Sequence, residues 1–159
     1  MQASGLANNG VMKPSMLSAL LLLAATGSAG ADCIAKAAGT FGTNADVLRA
    51  IAIVESKVRP HAINVNPNGS IDRGLFQINS IHLPELANAG IGPEDLHDVC
   101  LSSHVAALLL KRKMATLGDT WAAVGAYHSS VPEKRDAYAG KVRAMFERMR
   151  QLKVASGAQ

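Results

Sequence analysis

The chain is short of the residues that build metal, redox and nucleic-acid sites. Only two of its 159 residues are cysteine, Cys33 and Cys100, 67 positions apart and in no CxxC pair. Neither has partner ligands at zinc spacing, which argues against a metal or redox centre, and no cofactor is implied. His61, His82, His97 and His104 show no metal spacing either, and read as surface or core-edge residues. No RNP-like, zinc-finger or arginine-rich motif is present, so nucleic acid is not an expected partner. Beyond residue 31 no run of 18 consecutive apolar residues occurs, so nothing there reads as a membrane span. There is no internal repeat and no linker, and the length fits one domain, expected to be a monomer.

What is present is a globular composition, 48% hydrophobic and 18% charged, with a formal net charge of +4 and a pI near 9.3. All 12 acidic residues follow residue 31, while one of the 16 basic residues, Lys13, precedes it, leaving 15 − 12 = +3 on the remainder. So mild an excess suits an anionic polymer such as a bacterial wall, or is simply a solvated surface.

Residues 1–31 read as a secretory signal peptide. Lys13 supplies a short positive region, Met16 to Ala25 is almost wholly apolar, and Ala29-Gly30-Ala31 offers the small residues a signal peptidase reads. Cleavage after Ala31 would leave 159 − 31 = 128 residues. Met12 is an alternative start, and an uncleaved anchor is the competing reading. Export places the protein in the periplasm or outside the cell. There an even cysteine pair in a small domain favours a Cys33–Cys100 disulfide over two buried thiols.

Apolar periodicity predicts a helix from Asp46 to Val58, opened by Thr43-Asn44-Ala45-Asp46 as a capping box and stopped by Pro60. Asn68-Gly69 marks a tight turn between two short strands. Helices follow over Leu101 to Leu117, over Trp121 to His128, and from a Ser130-Val131-Pro132-Glu133 capping box onward. Tyr138, Val142, Met145, Phe146 and Met149 share one face of the last. The expected domain spans 32–150, with a frayed tail over 151–159. The expected fold is mainly α with a small β-hairpin, an α+β lysozyme-like arrangement.

Glu55 falls four residues after Ile51 and seven after Leu48, on the apolar face near the end of its helix. Burial and the helix C-terminus both raise a carboxyl pKa, which suits a general acid. Periodicity alone fits a rim glutamate paired with Lys57 or Arg59 better than a buried acid.

Glu55-Ser56 followed by Gly74-Leu75-Phe76-Gln77-Ile78 resembles the paired motifs of soluble-type lytic transglycosylases. The likeness runs through INVNPNGSIDRGLFQINSIHLPEL and into Trp121-Ala122-Ala123-Val124-Gly125-Ala126-Tyr127, covering nearly all of residues 32–130. It is similar above all to the small members that accompany type III and type IV secretion systems, pili and conjugation machines, and open a local gap in the wall. The resemblance implies action on peptidoglycan glycan strands with Glu55 as the single catalytic acid/base. It implies too that Ser56, Gln77 and Tyr127 line the cleft. Phe76 and Trp121 are candidates to stack on sugar rings, Trp121 equally for the core.

Two features depart from that pattern. Asp72 lies 17 residues after Glu55 within GSIDRGLFQINS, a spacing and string similar to those of animal c-type lysozymes, where the aspartate is a second catalytic carboxylate. Asp72 is thus a catalytic candidate, or a brace of the hairpin. His128 follows Tyr127 where the family commonly has Asn, so a sugar contact there would come from an imidazole. The competing functions are a lysozyme-type hydrolase using Glu55 and Asp72, and a non-catalytic wall-binding scaffold.

Overall fold

The computed structural model describes residues 28–157. The expected leader, 1–31, lies outside them save for its last four positions, which enter the first helix.

That helix, α1 (Ser28–Phe41), is one that the apolar pattern of the sequence did not single out. It buries Ile34, Ala37 and Ala38, spaced as one helical stripe, against α4 (Val99–Leu117). Cys33 and Cys100 are bonded, with their Cα atoms 4.8 Å apart, so the bridge fastens the two helices near their N-terminal ends. Closing a loop of that length stabilises a fold by about 4 kcal/mol in the chain-entropy model.

Helix α2 (Ala45–Ser56) starts one residue earlier and ends two residues sooner than its periodicity suggests. Asn44, not Thr43, is the cap: its side chain accepts from the backbone N–H of Asp46 and Val47. At the other end Lys57 (φ 54°) and Val58 (φ 61°) both enter the left-handed region. Their N–H groups return to Ile53 and Ala52, closing the last turn as a glycine would. For a β-branched valine this conformation is strained. The chain therefore leaves the helix immediately after Glu55-Ser56, before Pro60 can act.

The hairpin is part of a three-stranded antiparallel sheet, ordered β1 (Ile63–Val65), β2 (Ile71–Arg73) and β3 (Ile78–Asn79). Its register sets Asp72 between Asn64 on one side and Asn79 on the other. Gly74 ends β2 at φ 77°, and a Cβ there would lie 2.0 Å from the Leu96 carbonyl oxygen. Only glycine fits so close an approach. A short 3-10 turn over Ser80–His82 leads into α3 (Leu83–Ala87), and another covers Glu94–His97. Asp98 caps α4.

Helix α5 (Trp121–His128) occupies its expected span, capped by Thr120. Helix α6 (Pro132–Ala155) takes proline in its first turn, but no capping box forms. Val131 is the cap residue and has no side-chain bond to give. The same helix continues past Arg150 to Ala155, where a frayed tail was expected. It packs on α5 and α2, while α4 packs on α1 and α5. Gly125 makes the α5–α6 contact possible, since a Cβ there would lie 2.3 Å from the Arg135 carbonyl oxygen. Leu48, Ile51, Phe76, Ile78, Leu110 and Val142 form the centre of the core. The helices and the small sheet match the expected mainly α, α+β class, with one more strand than a hairpin. Among the described residues no helix is long and apolar enough to cross a membrane.

Candidate active site

The end of α2, the sheet and the α5–α6 junction surround a cleft of about 960 Å³. Of the residues singled out in the sequence, Glu55, Asp72, Gln77, Tyr127 and His128 line it. His61 and His82 line it as well, which places them closer to the site than a core-edge reading implies.

Three residues expected at the cleft lie elsewhere. Phe76 has 0% exposure and sits in the centre of the core, so its ring cannot stack on a ligand. It faces inward because Gly74 and Gln77, both at positive φ, turn the chain on either side of Leu75-Phe76. Ser56 is 1% exposed and lies beneath the cleft rather than on its wall. Its hydroxyl donates to the Leu75 carbonyl at 2.7 Å and accepts from the Arg59 N–H at 3.0 Å, pinning the end of α2 to the segment after β2. Trp121 packs edge-to-face on Phe146 at 5.7 Å, under the Arg143 guanidinium, outside the residues that line the cleft. Motif membership thus marks residues that build the cleft as well as residues that face it.

Gln77 is held by its amide, which donates to the carbonyls of Ala62 and Gly74. The Tyr127 hydroxyl donates to the Phe76 carbonyl at 3.0 Å, and burial pushes its pKa well up.

Glu55 is partly buried, and burial raises its carboxyl from 4.5 to about 7. The Asp72 charge adds to the rise, and a hydrogen bond from Tyr138 opposes it. That bond, 2.5 Å from the Tyr138 hydroxyl to Oε1, joins residues 83 positions apart. Burial first, and Glu55 next, push the Tyr138 hydroxyl far up, so it remains a donor at any working pH. The His128 ring stacks on Tyr138 at 4.7 Å and 6°. Burial lowers the His128 pKa, favouring neutral imidazole near pH 7. Tyr138 is the residue that sequence reasoning missed. Its periodicity marks it correctly as buried, but nothing local to α6 signals a carboxyl partner.

Asp72 accepts three side-chain amides. Asn64 and Asn66 donate to Oδ2 at 3.3 and 2.8 Å, and Asn79 to Oδ1 at 2.6 Å. The sheet register delivers Asn64 and Asn79, and the β1–β2 turn delivers Asn66. Among the described residues no group of three or more His, Cys, Asp or Glu could hold a metal ion.

The SLT transglycosylase domain matches residues 32–144, a span that contains the whole cleft. The chain belongs to the SLT transglycosylase family. It is 37% identical over 142 residues to "Invasion protein IagB" of Salmonella typhi, across 88% of this chain and 89% of that one. It is 42% identical over 106 residues to "Protein IpgF" of Shigella flexneri, across 66% and 70%. It is 36% identical over 138 residues to an Escherichia coli "X polypeptide", across 82% of each. The transglycosylase fold expected from Glu55-Ser56 and Gly74 to Ile78 is therefore the fold present, with its α+β lysozyme-like character.

A carboxyl group that titrates near pH 7 can both give and take a proton. Since the Tyr138 bond favours ionised Glu55, Tyr138→Phe is expected to move the Glu55 titration above about 7. Carboxyl-carbon NMR of labelled glutamate reads that midpoint directly, and an unmoved midpoint would show that the bond does not form in solution.

Proposed function

We propose that this protein is a peptidoglycan lytic transglycosylase that cuts the β-1,4 bond between N-acetylmuramic acid and N-acetylglucosamine, leaving 1,6-anhydro ends. The observation that carries the reading is Glu55, a cleft carboxyl still half protonated near neutral pH.

Glu55, in its neutral form, protonates the oxygen of the scissile bond. The bond breaks and positive charge develops at the muramic anomeric carbon. Asp72, or the substrate's own acetamido group, stabilises that charge. Ionised Glu55 then takes the proton of the carbon-6 hydroxyl, whose oxygen closes onto the anomeric carbon. Glu55 ends as it began, and neither water nor cofactor is consumed. Tyr138 holds Oε1 of Glu55, leaving the other oxygen to face the substrate. Gln77, Tyr127 and His128 supply polar contacts along the cleft.

A role in opening the wall locally for a secretion system, pilus or conjugation apparatus fits the similarity to an invasion protein. The disulfide and the leader expected over 1–31 support a periplasmic or secreted location.

The triply held Asp72 favours one second reading, a hydrolase in which water replaces the carbon-6 hydroxyl. Mass spectrometry of digested sacculi separates the two. The expected muropeptides are one water lighter than reducing ends. Reducing ends alone would make the protein a muramidase, and no release by folded protein would leave a wall-binding scaffold.

A further inference from the structure

Muramic acid carries a peptide stem on its lactyl group, and the stem bears free carboxylates. A cleft floored by two carboxyl residues, Glu55 and Asp72, repels such groups unless cations stand nearby.

Arg59 lines the cleft at the end of α2, and helix α6 adds two more cations. Lys134, Tyr138 and Lys141 follow at i, i+4 and i+7, and so share one helix face. The Tyr138 hydroxyl is bonded to Glu55, which turns that face towards the cleft. Lys134 itself lines the cleft, and both lysine charges act on His128 in its wall. Both lysines are exposed, and neither makes an ion pair among the described residues. The neighbouring Asp136 is occupied by Arg135 at 2.7 Å. From the helical rise, the two lysines straddle Tyr138 and stand about 10 Å apart along the axis, one turn either side of the residue that touches Glu55.

We propose that Lys134 and Lys141 form a docking site for the carboxylates of the peptide stem, so that the enzyme selects stem-bearing glycan over stripped glycan. This rests on the reading of the cleft as a peptidoglycan site. The ammonium groups flank the reacting centre without touching it. They hold a muramic residue at the scissile position through the stem carried on its lactyl ether, a group that N-acetylglucosamine lacks.

The test uses glycan strands from one preparation of sacculi in two forms, with stems intact and with stems removed at the lactyl amide, which leaves a single lactyl carboxylate in place of the stem's several. Wild-type protein should show a kcat/KM about tenfold higher on stem-bearing strands at low salt, as two exposed ion pairs allow. The preference should shrink as salt approaches physiological strength. In the Lys134→Ala/Lys141→Ala double variant the ratio should fall towards one, while the double arginine variant should keep it. Three results would overturn the proposal: no wild-type preference, a preference retained by the alanine variant, or equal loss on both strands. A direct titration of both strand forms onto Glu55→Gln protein, with and without the two lysines, needs no turnover. Should wild-type protein cut neither strand, the transglycosylase reading fails while this titration still decides the docking site. Lysine-dependent, salt-sensitive binding of stem-bearing strands supports it, and equal binding of the two forms refutes it.

Discussion

Glu55→Gln is expected to abolish wall lysis, by at least about a hundredfold and up to about ten-thousandfold, while leaving the protein folded. Glutamine keeps the shape and can still accept the Tyr138 hydroxyl at the Oε1 position, but it has no proton to transfer. The same variant carries a second signature in stability. The folded-state pKa of Glu55, about 7, stands above its unassociated value of 4.5, because burial penalises the charged form. Between those values the folded chain holds a proton that the unfolded chain has lost. Stability from neutral Glu55 is thus complete below about pH 4.5 and is lost as pH rises through about 7. Glutamine is never ionised and never suffers that loss. The variant should therefore melt above wild type at pH 8, and the gap should close towards pH 5. Wild-type lysis itself should decline as pH rises through about 7, as the acid form is titrated away. A folded Glu55→Gln protein with near wild-type lysis would falsify the catalytic assignment.

The parts of this molecule that were legible in the sequence are those written in local pattern. The run from Trp121 to His128 gives α5 its bounds to the residue, and the position of Glu55 after Leu48 and Ile51 foretells its burial. The boundaries of α2 were less legible. A helix that ends on two left-handed non-glycine residues, Lys57 and Val58, carries no stop signal of the usual kind, and Pro60 drew attention instead. The roles of Ser56 and Phe76 were hidden for a different reason. Both sit in the family motifs, yet their environments depend on how the segment after β2 folds over α2, which periodicity does not describe. Tyr138 was visible as a buried position on α6 but not as a partner of Glu55, because the pairing depends on Gly125 letting α6 approach α5. The three asparagines around Asp72 come together only through strand register, so a single string of sequence shows the residues and not the cluster.

Asp72→Asn is expected to lower turnover per folded molecule by roughly ten- to a thousandfold, about 1.4–4 kcal/mol of transition-state stabilisation. An ionised carboxylate beside the anomeric carbon stabilises an oxocarbenium-like transition state more than the neutral substrate. Its cluster makes a stability cost part of the same prediction. Asp72 uses both oxygens as acceptors, from Asn64 and Asn66 on one side and Asn79 on the other. An asparagine must turn its own NH2 towards one of these donors. Asn79 cannot simply flip to meet it, because its Oδ1 already accepts from the Ile81 N–H at 3.0 Å and its amide also reaches Ser70. The site therefore loses at least one hydrogen bond, about 1 kcal/mol, and the melting temperature should fall by a few degrees. Asn66→Ala provides the comparison, since it removes a 2.8 Å bond from the same cluster and keeps the carboxylate. If Asp72 acts on the substrate, the two variants should melt alike while only Asp72→Asn loses turnover at temperatures well below melting. If Asp72 merely braces the sheet, both variants should melt lower and turn over at the wild-type rate once folded. That second outcome would leave Glu55 as the one working carboxylate and remove the main support for the hydrolase reading.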